Sequence, residues 1–349
     1  MAACYRGEVK DLSKLGIALI VSTIQGVPRD RAATLPPDAF VELDNKENVA
    51  SYAGALEATG HQVVVEEATP DLACRLEKLR PDICFNLTEG FRGEGREAQV
   101  PALLEMMGLR YTGPSPLGAG ISLDKPITKR ILNSWGLPTP PFQVFETHDD
   151  PLQDDLQFPL FAKPAHEGGG MGIGNRSVCS NERELRDRLG YLIETYREPA
   201  LVETYIEGRE TSCGLVGNGS DLHFFPINEV DFSGYPKDLL PIYGSLQKFD
   251  YAYLYRHSCP APLGEELASE IQWLTQQTFR AMLCRDFARV DFRIDGRTNR
   301  PTILEVNSLP GITPSSDLTL MAESEGWTHG DLVRSVLNAA LRRYGMNSD

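Results

Sequence analysis

Short apolar runs alternate with segments of helical periodicity over the first 120 residues. The runs predict strands at 15–22, 62–66, 82–86 and 109–112, and the periodic segments predict helices at 48–59 and 97–107. Strands that alternate with helices indicate a parallel, doubly wound sheet, whose ligands bind beyond the carboxyl ends of the strands. The loop 86–95 would then border a site, with Glu89 and Glu94 available to a cationic group. The alternative is a surface loop with solvated charges.

A glycine-rich loop follows a helix and a strand in the middle of the chain. The helix begins at Asp124 and ends at Gly136, before a proline-rich turn that marks a domain boundary. The strand, 158–164, carries Lys163, and five of the seven residues 168–174 are glycine. Free N–H groups in such a loop can bind phosphate oxygens, with a lysine supplying positive charge. The loop lacks the signatures of a P-loop or a dinucleotide-binding motif, and a flexible surface turn is the alternative.

The region after this loop contains further predicted elements. Asn181 and Glu184 predict a capped helix start. Residues 199–210 predict an apolar strand that runs into an acidic segment, which is either a nucleotide-binding hinge or a linker. The stretch 231–250 has little periodicity and contains Lys248, which is typical of a lid or a disordered loop. Helices are predicted at 265–283 and 331–343.

Two segments near the carboxyl end carry the strongest chemical pattern. In the first, 288–295, Arg289 and Asp291 share one face, because successive side chains of a strand point to opposite faces. In the second, Glu305 and Asn307 share a face and Leu304 points the other way. The turn-forming residues 295–301 predict a hairpin that joins the two polar faces. Such oxygen ligands are typical of a Mg²⁺ site, and a solvated sheet face is the alternative.

Composition narrows the classes of function. The chain has 349 residues, enough for two or three domains, and its net charge is −15 without a basic block. We therefore expect no nucleic-acid partner, because binding a phosphate polymer needs a basic surface. The seven scattered cysteines are typical of reduced thiols in the cytoplasm. The apolar run 15–21 is too short to span a membrane and lacks the pattern of a signal peptide, so we expect a cytoplasmic protein with no membrane partner.

Four groups of motifs together resemble the ATP-grasp enzymes, and most closely the D-alanine–D-alanine ligase family. They are LDKPITKRILNSWGLPTPP (123–141), FAKPAHEGGGMGIG (161–174), LVETYIEGRE (201–210), and ARVDFRID with LEVNSLPGITPSSD (288–295 and 304–317). The resemblance extends from about 86 to 332. It implies an α/β ATP-grasp fold with a Rossmann-like N-terminal lobe (1–122), a central lobe (123–208) and a C-terminal lobe (209–349), with ATP held between the last two.

The resemblance also implies roles for residues at matching positions. Residues expected to bind ATP are Lys125, Lys163, Glu167, Gly169, Gly170, Glu203, Ile206, Glu210 and Lys248. Among these, Glu203 and Ile206 would lie at the adenine, Glu210 at the ribose and Lys248 at the γ-phosphate. Residues expected to bind Mg²⁺, or Mn²⁺ in its place, are Asp291, Glu305 and Asn307. Arg289 and the N–H group of Gly311 would stabilise the reacting centre, and Ser316 would bind the acceptor.

The departures from the family pattern lie at the substrate end. The loop 21–28 contains no glutamate for a donor amino group, Glu89 replaces an expected histidine, and glycines replace the serines of the glycine-rich loop. Asp317 occupies a usually apolar place beside Ser316, where a negative charge favours a cationic or hydroxylated acceptor. Glu89, Ser316 and Asp317 are therefore the candidate substrate-binding residues.

These observations predict an ATP- and Mg²⁺-dependent carboxylate–amine ligase. It would join amino acids or small peptides through an acyl phosphate, releasing ADP and phosphate, in natural-product or specialised dipeptide biosynthesis. A D-alanine–D-alanine ligase of cell-wall synthesis is one alternative, and a non-catalytic nucleotide-binding regulatory protein is another. The resemblance further implies a homodimer that associates through the N-terminal lobe.

Overall fold

Three β-sheets with packed helices make up the described residues 14–27, 36–245 and 254–346 of this computed structural model. The strands are β1 (Gly16–Val21), β2 (Gln62–Glu67), β3 (Ile83–Leu87), β4 (Phe142–Phe145), β5 (Leu160–Pro164), β6 (Val178–Cys179), β7 (Ala200–Thr204), β8 (Gly208–Asn218), β9 (Asp221–Phe224), β10 (Asn228–Asp231), β11 (Arg256–Ser258), β12 (Phe287–Asp295) and β13 (Pro301–Asn307). The helices are α1 (Lys46–Glu57), α2 (Leu72–Leu79), α3 (Gln99–Met107), α4 (Pro116–Leu123), α5 (Lys125–Ser134), α6 (Glu182–Tyr196), α7 (Glu265–Ala281), α8 (Asp317–Ser324) and α9 (His329–Arg343).

The N-terminal sheet is parallel, with the strand order β2-β1-β3. In β1, Ile17 and Leu19 pack in one core with residues of α1 and α9, whereas Ala18 and Ile20 pack in another with residues of α2 and α3. This alternation follows from the two-residue period of a strand and confirms the doubly wound arrangement.

The predicted strand 109–112 is wrong, because the structure has only an isolated bridge there. Tyr111 pairs with Cys84 in parallel orientation. The pairing stops at Thr112, whose hydroxyl accepts a hydrogen bond from the N–H group of Asn86 at 2.9 Å. Gly113, with φ of +90°, then turns the chain toward α4, so no further ladder bonds form.

The central sheet is antiparallel, with the order β4-β7-β5-β6, and α6 packs against one of its faces. The predicted helix start is confirmed: the Asn181 side chain accepts a hydrogen bond from the N–H group of Glu184 at 3.1 Å, and the Glu184 carboxylate accepts one from Ser180 at 2.8 Å. Ala162 and Val202 face the helix. Strand alternation therefore leaves Lys163 and Glu203 on the opposite face.

The C-terminal sheet is antiparallel, with the order β11-β10-β8-β12-β13 and β9 beside β8. The predicted hairpin is confirmed, since β12 pairs with β13 and α7 packs against its apolar side. The prediction that Leu304 points into the core is wrong. Asp291 pairs with Glu305 and Phe292 pairs with Ile303, so Leu304 is the extra residue of a β-bulge. Leu304 lines a cavity instead.

Asp286 joins three separate parts of the chain. It is fully buried, and its carboxylate accepts hydrogen bonds from the N–H group of Gly113 and the side chain of Asn218, both at 2.9 Å. Arg343, in α9, adds two charge-assisted hydrogen bonds at 2.9 and 2.7 Å. The ion pair is buried and well bonded, which is the arrangement in which loss of one partner is most costly.

Two further expectations from the sequence concern membrane-spanning helices and the state of the cysteines. Across the described ranges, no helix is both long and apolar enough to cross a lipid bilayer. Six cysteines fall within those ranges, and each is a free thiol.

Candidate active site

A cavity of about 760 Å³ is lined by residues from all three sheets. The central sheet contributes the face that carries Lys163 and Glu203, and the C-terminal sheet contributes the polar face of the hairpin. Leu87, at the end of β3, belongs to the N-terminal sheet and also lines the cavity. The site therefore lies where the polar faces and the strand ends of the three sheets meet.

The hairpin places four polar side chains together at this cavity. Arg289 pairs with Asn307 across the two strands, and Asp291 pairs with Glu305. The Arg289 guanidinium donates to both oxygens of Asp291, at 2.8 and 2.9 Å, and the Asn307 amide donates to the same carboxylate at 2.9 Å. Burial acts to lower the pKa of Arg289, but Asp291 outweighs it and raises that pKa. The guanidinium therefore stays charged.

The oxygens of Asp291, Glu305 and Asn307 form a donor set that fits Mg²⁺. Carboxylate and amide oxygens are the hard ligands that this ion prefers, and it normally retains water or phosphate in its other positions. In the described part of the chain, no group of three or more His, Cys, Asp or Glu side chains is arranged to hold a metal ion. The hairpin set differs from such groups because its third member is an amide.

Two lysines share the buried carboxylate of Glu203. Lys163 Nζ lies 2.9 Å from one oxygen and Lys129 Nζ lies 2.6 Å from the other. Burial acts to raise the pKa of Glu203, but the two lysines outweigh it and hold that pKa below its usual range. Burial lowers the pKa of Lys129 to about 8, against the opposing effect of Glu203. The Lys163 pKa lies above its usual range, because Glu203 and Glu305 outweigh burial.

Lys129 was missed from the sequence although its spacing gives a signal. It lies four residues after Lys125 in α5, so both point to the same side of the helix. Lys125 Nζ lies 3.6 Å from Glu305 and donates to the backbone oxygen of Glu167. A search for cations at this spacing beside a predicted phosphate site would have found Lys129.

The glycine-rich loop leaves backbone N–H groups for a ligand. Gly169 and Gly170 have φ of +60° and +82°, a region that residues with side chains rarely adopt. The N–H groups of Gly168, Gly169 and Gly170 donate to no acceptor among the described residues. A Cβ on Gly170 would lie 2.8 Å from the backbone nitrogen of Ser245. The close approach of the 232–245 segment therefore also requires glycine here.

The residues expected at the base and the ribose belong to the same cavity. Ile206, Glu210 and Leu304 all line it. The Glu210 carboxylate lies 3.3 Å from Arg293, which also donates to the backbone oxygen of Gly208 at 2.7 Å. Arg293 is another residue that was missed, although it shares the strand face of Arg289 and Asp291 by alternation.

The residues expected at the acceptor belong to the same cavity, and Asp317 among them lies beside Arg289. Gly311, Ser316 and Asp317 line the cavity, and a Cβ on Gly311 would lie 3.2 Å from the Ser316 hydroxyl. Asp317 lies 3.6 Å from Arg289 Nη1, and its carboxylate accepts a hydrogen bond from Tyr243 at 3.4 Å. A negative charge therefore stands directly beside the guanidinium.

Three candidate residues are not among the described residues that line the large cavity. Glu167 does not line the large cavity, and its carboxylate lies 3.2 Å from Arg96. Lys248 lies outside the described residues. Glu89 lines the cavity, whereas Glu94 is exposed on the same loop.

The chain also supplies carboxylates that the sequence did not reveal. Residues 40–45 return to the end of β1, where Asp44 N–H donates to the backbone oxygen of Ser22 at 3.0 Å. Glu42 and Asp44 consequently line the cavity. Their distance in sequence from the loop 21–28 conceals this placement, and no local pattern predicts it.

Comparison with known proteins decides the family. The model of the family described as D-ala D-ala ligase C-terminus matches residues 131–338, more than half of the chain. The chain belongs to the D-alanine–D-alanine ligase family. The D-alanine–D-alanine ligase of Marinomonas sp. (strain MWYL1) is 32% identical over 307 residues, 84% of this chain and 90% of that protein. That of Bordetella petrii is 32% identical over 254 residues, 70% of this chain and 72% of that protein.

Other similar proteins extend the comparison. An uncharacterised protein of Sinorhizobium fredii, y4sG, is 36% identical over 302 residues, 84% of this chain and 87% of that protein. The solved structure of the D-alanine–D-alanine ligase from Bacillus anthracis complexed with ATP matches the fold with a TM-score of 0.73 at 22% identity. It covers 95% of this chain and 99% of that one. The predicted ATP-grasp fold and family are confirmed, and the protein is an ATP-dependent, ADP-forming carboxylate–amine ligase of the D-alanine–D-alanine ligase type.

Proposed function

We propose that this protein joins two amino acids, or an amino acid and a small peptide, other than a pair of D-alanines. The reaction would use ATP and Mg²⁺, proceed through an acyl phosphate and serve a natural-product or specialised dipeptide pathway in the cytoplasm. The observation that carries the choice of substrate is the position of Asp317, 3.6 Å from Arg289 at the acceptor side of the cavity. A fixed negative charge there repels an acceptor carboxylate and favours a cationic or hydroxylated group.

The arrangement of cations supports binding of a nucleotide triphosphate. Lys125 and Lys163 both line the cavity, as do Gly169 and Gly170. Lysines and free backbone N–H groups are the groups that bind phosphate oxygens in proteins. We assign the ribose to Glu210 and the adenine to the neighbourhood of Ile206 and Glu203. Lys129 keeps Glu203 compensated while Lys163 contacts phosphate.

The chemistry follows from the poor reactivity of a carboxylate toward an amine. Transfer of the γ-phosphoryl group to a donor carboxylate oxygen breaks the bond to ADP and forms an acyl phosphate. The amine nitrogen then attacks the acyl carbon, loses a proton, and the C–O bond to phosphate breaks to release phosphate. Mg²⁺ held by Asp291, Glu305 and Asn307 would neutralise phosphate charge. Arg289 and the N–H group of Gly311 would stabilise the negative oxygen of the tetrahedral species.

The two ends of the cavity would bind different substrates. We assign the donor to the end formed by residues of the N-terminal sheet, where Asp44 and Glu89 line the wall. The acceptor would bind beside Ser316 and Asp317. Association into a homodimer and the boundaries of the three lobes remain predictions.

The main alternative is a D-alanine–D-alanine ligase, which the names of the relatives from Bordetella petrii and Marinomonas sp. favour. Release of ADP from the purified protein with D-alanine alone separates the two. We expect little release with D-alanine and substantial release with another acid and amine pair. An amino-acid library screened for phosphate release, with mass spectrometry of the amide, identifies that pair.

A variant makes this test sharper. In Asp317→Leu the repulsion of an acceptor carboxylate disappears, so we expect use of D-alanine as acceptor to rise by about tenfold or more, equivalent to roughly 1.4 kcal/mol. Rapid turnover of D-alanine by the wild type, unchanged by the substitution, would contradict the proposal. If no acid and amine pair causes release of ADP, the non-catalytic regulatory alternative is favoured.

A further inference from the structure

The glycine-rich loop, residues 168–174, is covered by a segment from a different part of the chain. Residues 36–45, here called the strap, lie in sequence between β1 and α1 of the N-terminal sheet. Val41 nevertheless packs against the core between the central sheet and α6. A Cβ on Gly169 would lie 2.9 Å from Val41 Cγ1. The strap therefore lies directly on the loop that is expected to bind phosphate.

Asp38, in the strap, bonds to three other elements. Its carboxylate accepts a hydrogen bond from the N–H group of Gly172 at 2.8 Å, and one from the hydroxyl of Tyr196, at the end of α6, also at 2.8 Å. The hydroxyl of Ser245, at the end of the 232–245 segment, donates to the same carboxylate at 3.1 Å. One side chain therefore connects the strap to the loop, to the helix that supports the loop and to the segment that approaches it.

The backbone oxygen of the same glycine is bonded to Arg188, a residue of α6 that is only 9% exposed. The Arg188 guanidinium donates to the oxygen of Gly172 and, at 3.0 Å, to the Ser177 hydroxyl. Hydrogen bonds that involve a charged group are stronger than those between neutral groups. Both backbone groups of Gly172 are therefore fixed by charged side chains, one from the strap and one from α6.

The bonds of the loop divide its N–H groups into two sets. Those of Met171 and Ile173 donate to backbone oxygens within the loop at 2.9 and 3.1 Å, and that of Gly172 donates to Asp38. Those of residues 168–170 donate to no acceptor in the described chain. Asp38 therefore bonds to the part of the loop that follows the open N–H groups, where it fixes their direction and does not occupy them.

We propose that Asp38 is a positioning residue for the nucleotide, which holds the glycine-rich loop in its phosphate-binding shape before ATP binds. The inference rests on the proposed function, because it takes this loop as the binding site of the phosphate groups. A loop with five glycines loses much conformational entropy when it becomes ordered. Because the bonds of Asp38 order the loop in the free protein, the nucleotide does not have to order it, and its affinity is higher.

Nucleotide binding tests this role without knowledge of the substrates. Isothermal titration calorimetry of the whole protein with Mg²⁺ and AMP-PNP, a non-hydrolysable ATP analogue, gives Kd for the triphosphate. Displacement of the analogue gives Kd for adenosine, which has the base and the ribose but no phosphate group. In Asp38→Ala we expect Kd for the analogue to rise by about tenfold and Kd for adenosine to rise by less than about twofold. Asp38→Asn keeps an oxygen that can accept from Gly172, so we expect an affinity for the analogue within about threefold of the wild type.

Two further variants separate positioning from general stability. Asp187→Ala is the matched control, because Asp187 is an exposed aspartate of α6, and it should bind both ligands as the wild type does. Tyr196→Phe removes one bond to Asp38 and keeps the ring in the core, so it provides the same test if Asp38→Ala does not fold. We expect it to raise Kd for the analogue by about threefold. Hydrogen exchange of the nucleotide-free protein should be faster in peptide 168–174 of Asp38→Ala and Tyr196→Phe, and unchanged in Asp187→Ala.

Each outcome has a distinct meaning. Equal losses of affinity for the analogue and for adenosine overturn the positioning role, because a general loss of structure would affect both ligands. Wild-type affinity in Asp38→Ala and Tyr196→Phe, or an Asp38→Asn variant as weak as Asp38→Ala, also overturns it and leaves the ligase reaction intact. Failure of the wild type to bind the analogue overturns the nucleotide site of the proposed function, and with it this inference.

Discussion

His166 gives the structure a pH-dependent link between two elements of the site. Its Nε2 lies 3.3 Å from Asp124, and its Nδ1 lies 3.6 Å from Glu198. Asp124 in turn accepts the N–H group of Ile127 at 2.8 Å as the N-cap of α5. The hydrogen bond to Asp124, followed by that to Glu198, raises the pKa of His166 to about 9. Protonated His166 therefore stabilises the start of the helix that carries Lys125.

The size of this contribution follows from the change in pKa on folding. The difference between 6.5 and about 9, at about 1.4 kcal/mol for each pH unit, corresponds to roughly 3 kcal/mol. The folded state binds the proton more tightly than the unfolded state. The contribution is therefore fully present below pH 6.5 and is lost as the pH rises through about 9. The side chain is only 12% exposed, so solvent screens the pairs weakly.

Substitution of His166 by glutamine tests this reasoning. The variant keeps a hydrogen-bond donor but cannot carry the charge. Urea unfolding followed by circular dichroism should show a loss of about 3 kcal/mol at pH 6 relative to the wild type, shrinking toward zero by about pH 10. His148→Gln is the control, because that histidine is 55% exposed and should change stability by less than about 0.5 kcal/mol. A loss for His166→Gln that is equal at both pH values would refute the argument.

Three further substitutions address other parts of the molecule. Asp286→Asn should lower the free energy of unfolding by about 3 kcal/mol, because it leaves the buried Arg343 without a carboxylate. The control Asp221→Asn, at an ion pair with exposed side chains, should cost less than about 1 kcal/mol. Equal losses of the two variants in thermal melts would contradict this. Asp291→Asn should lower the rate of ADP release at least about a hundredfold, with Asp221→Asn again as the control. A wild-type rate in a coupled assay of ADP release would show that Asp291 is not a ligand of Mg²⁺. Lys129→Met should lower the free energy of unfolding in urea by about 3 kcal/mol. It should also raise KM for ATP, because Glu203 would then hold Lys163 more firmly. An unchanged KM would show that Lys129 does not affect nucleotide binding.

Local patterns determined those features of the fold that depend on neighbours in sequence. The two-residue period of strands sufficed to place Arg289 and Asp291 on one face of a hairpin, and the capping pattern sufficed to locate the start of α6 at Asn181. In both cases the residues that decide the outcome lie within a few positions of one another. Their side chains point where backbone geometry directs them, whatever the rest of the chain does.

Tertiary structure decided the features that depend on distant residues. The two lysines that share Glu203 come from another helix and another strand, and Glu42 and Asp44 reach the cavity only because residues 40–45 return to the end of β1. A β-bulge turned Leu304 toward the cavity against simple alternation.

The sequence alone therefore determined the family and the elements with strong local patterns, and it predicted many of the residues that line the cavity. The charge balance inside the cavity was settled by packing. Whether a carboxylate such as Glu203 has a counter-ion depends on which side chains from other elements lie within a few ångströms of it. No periodicity along the chain encodes that distance, because it results from the way the three sheets pack around one cavity.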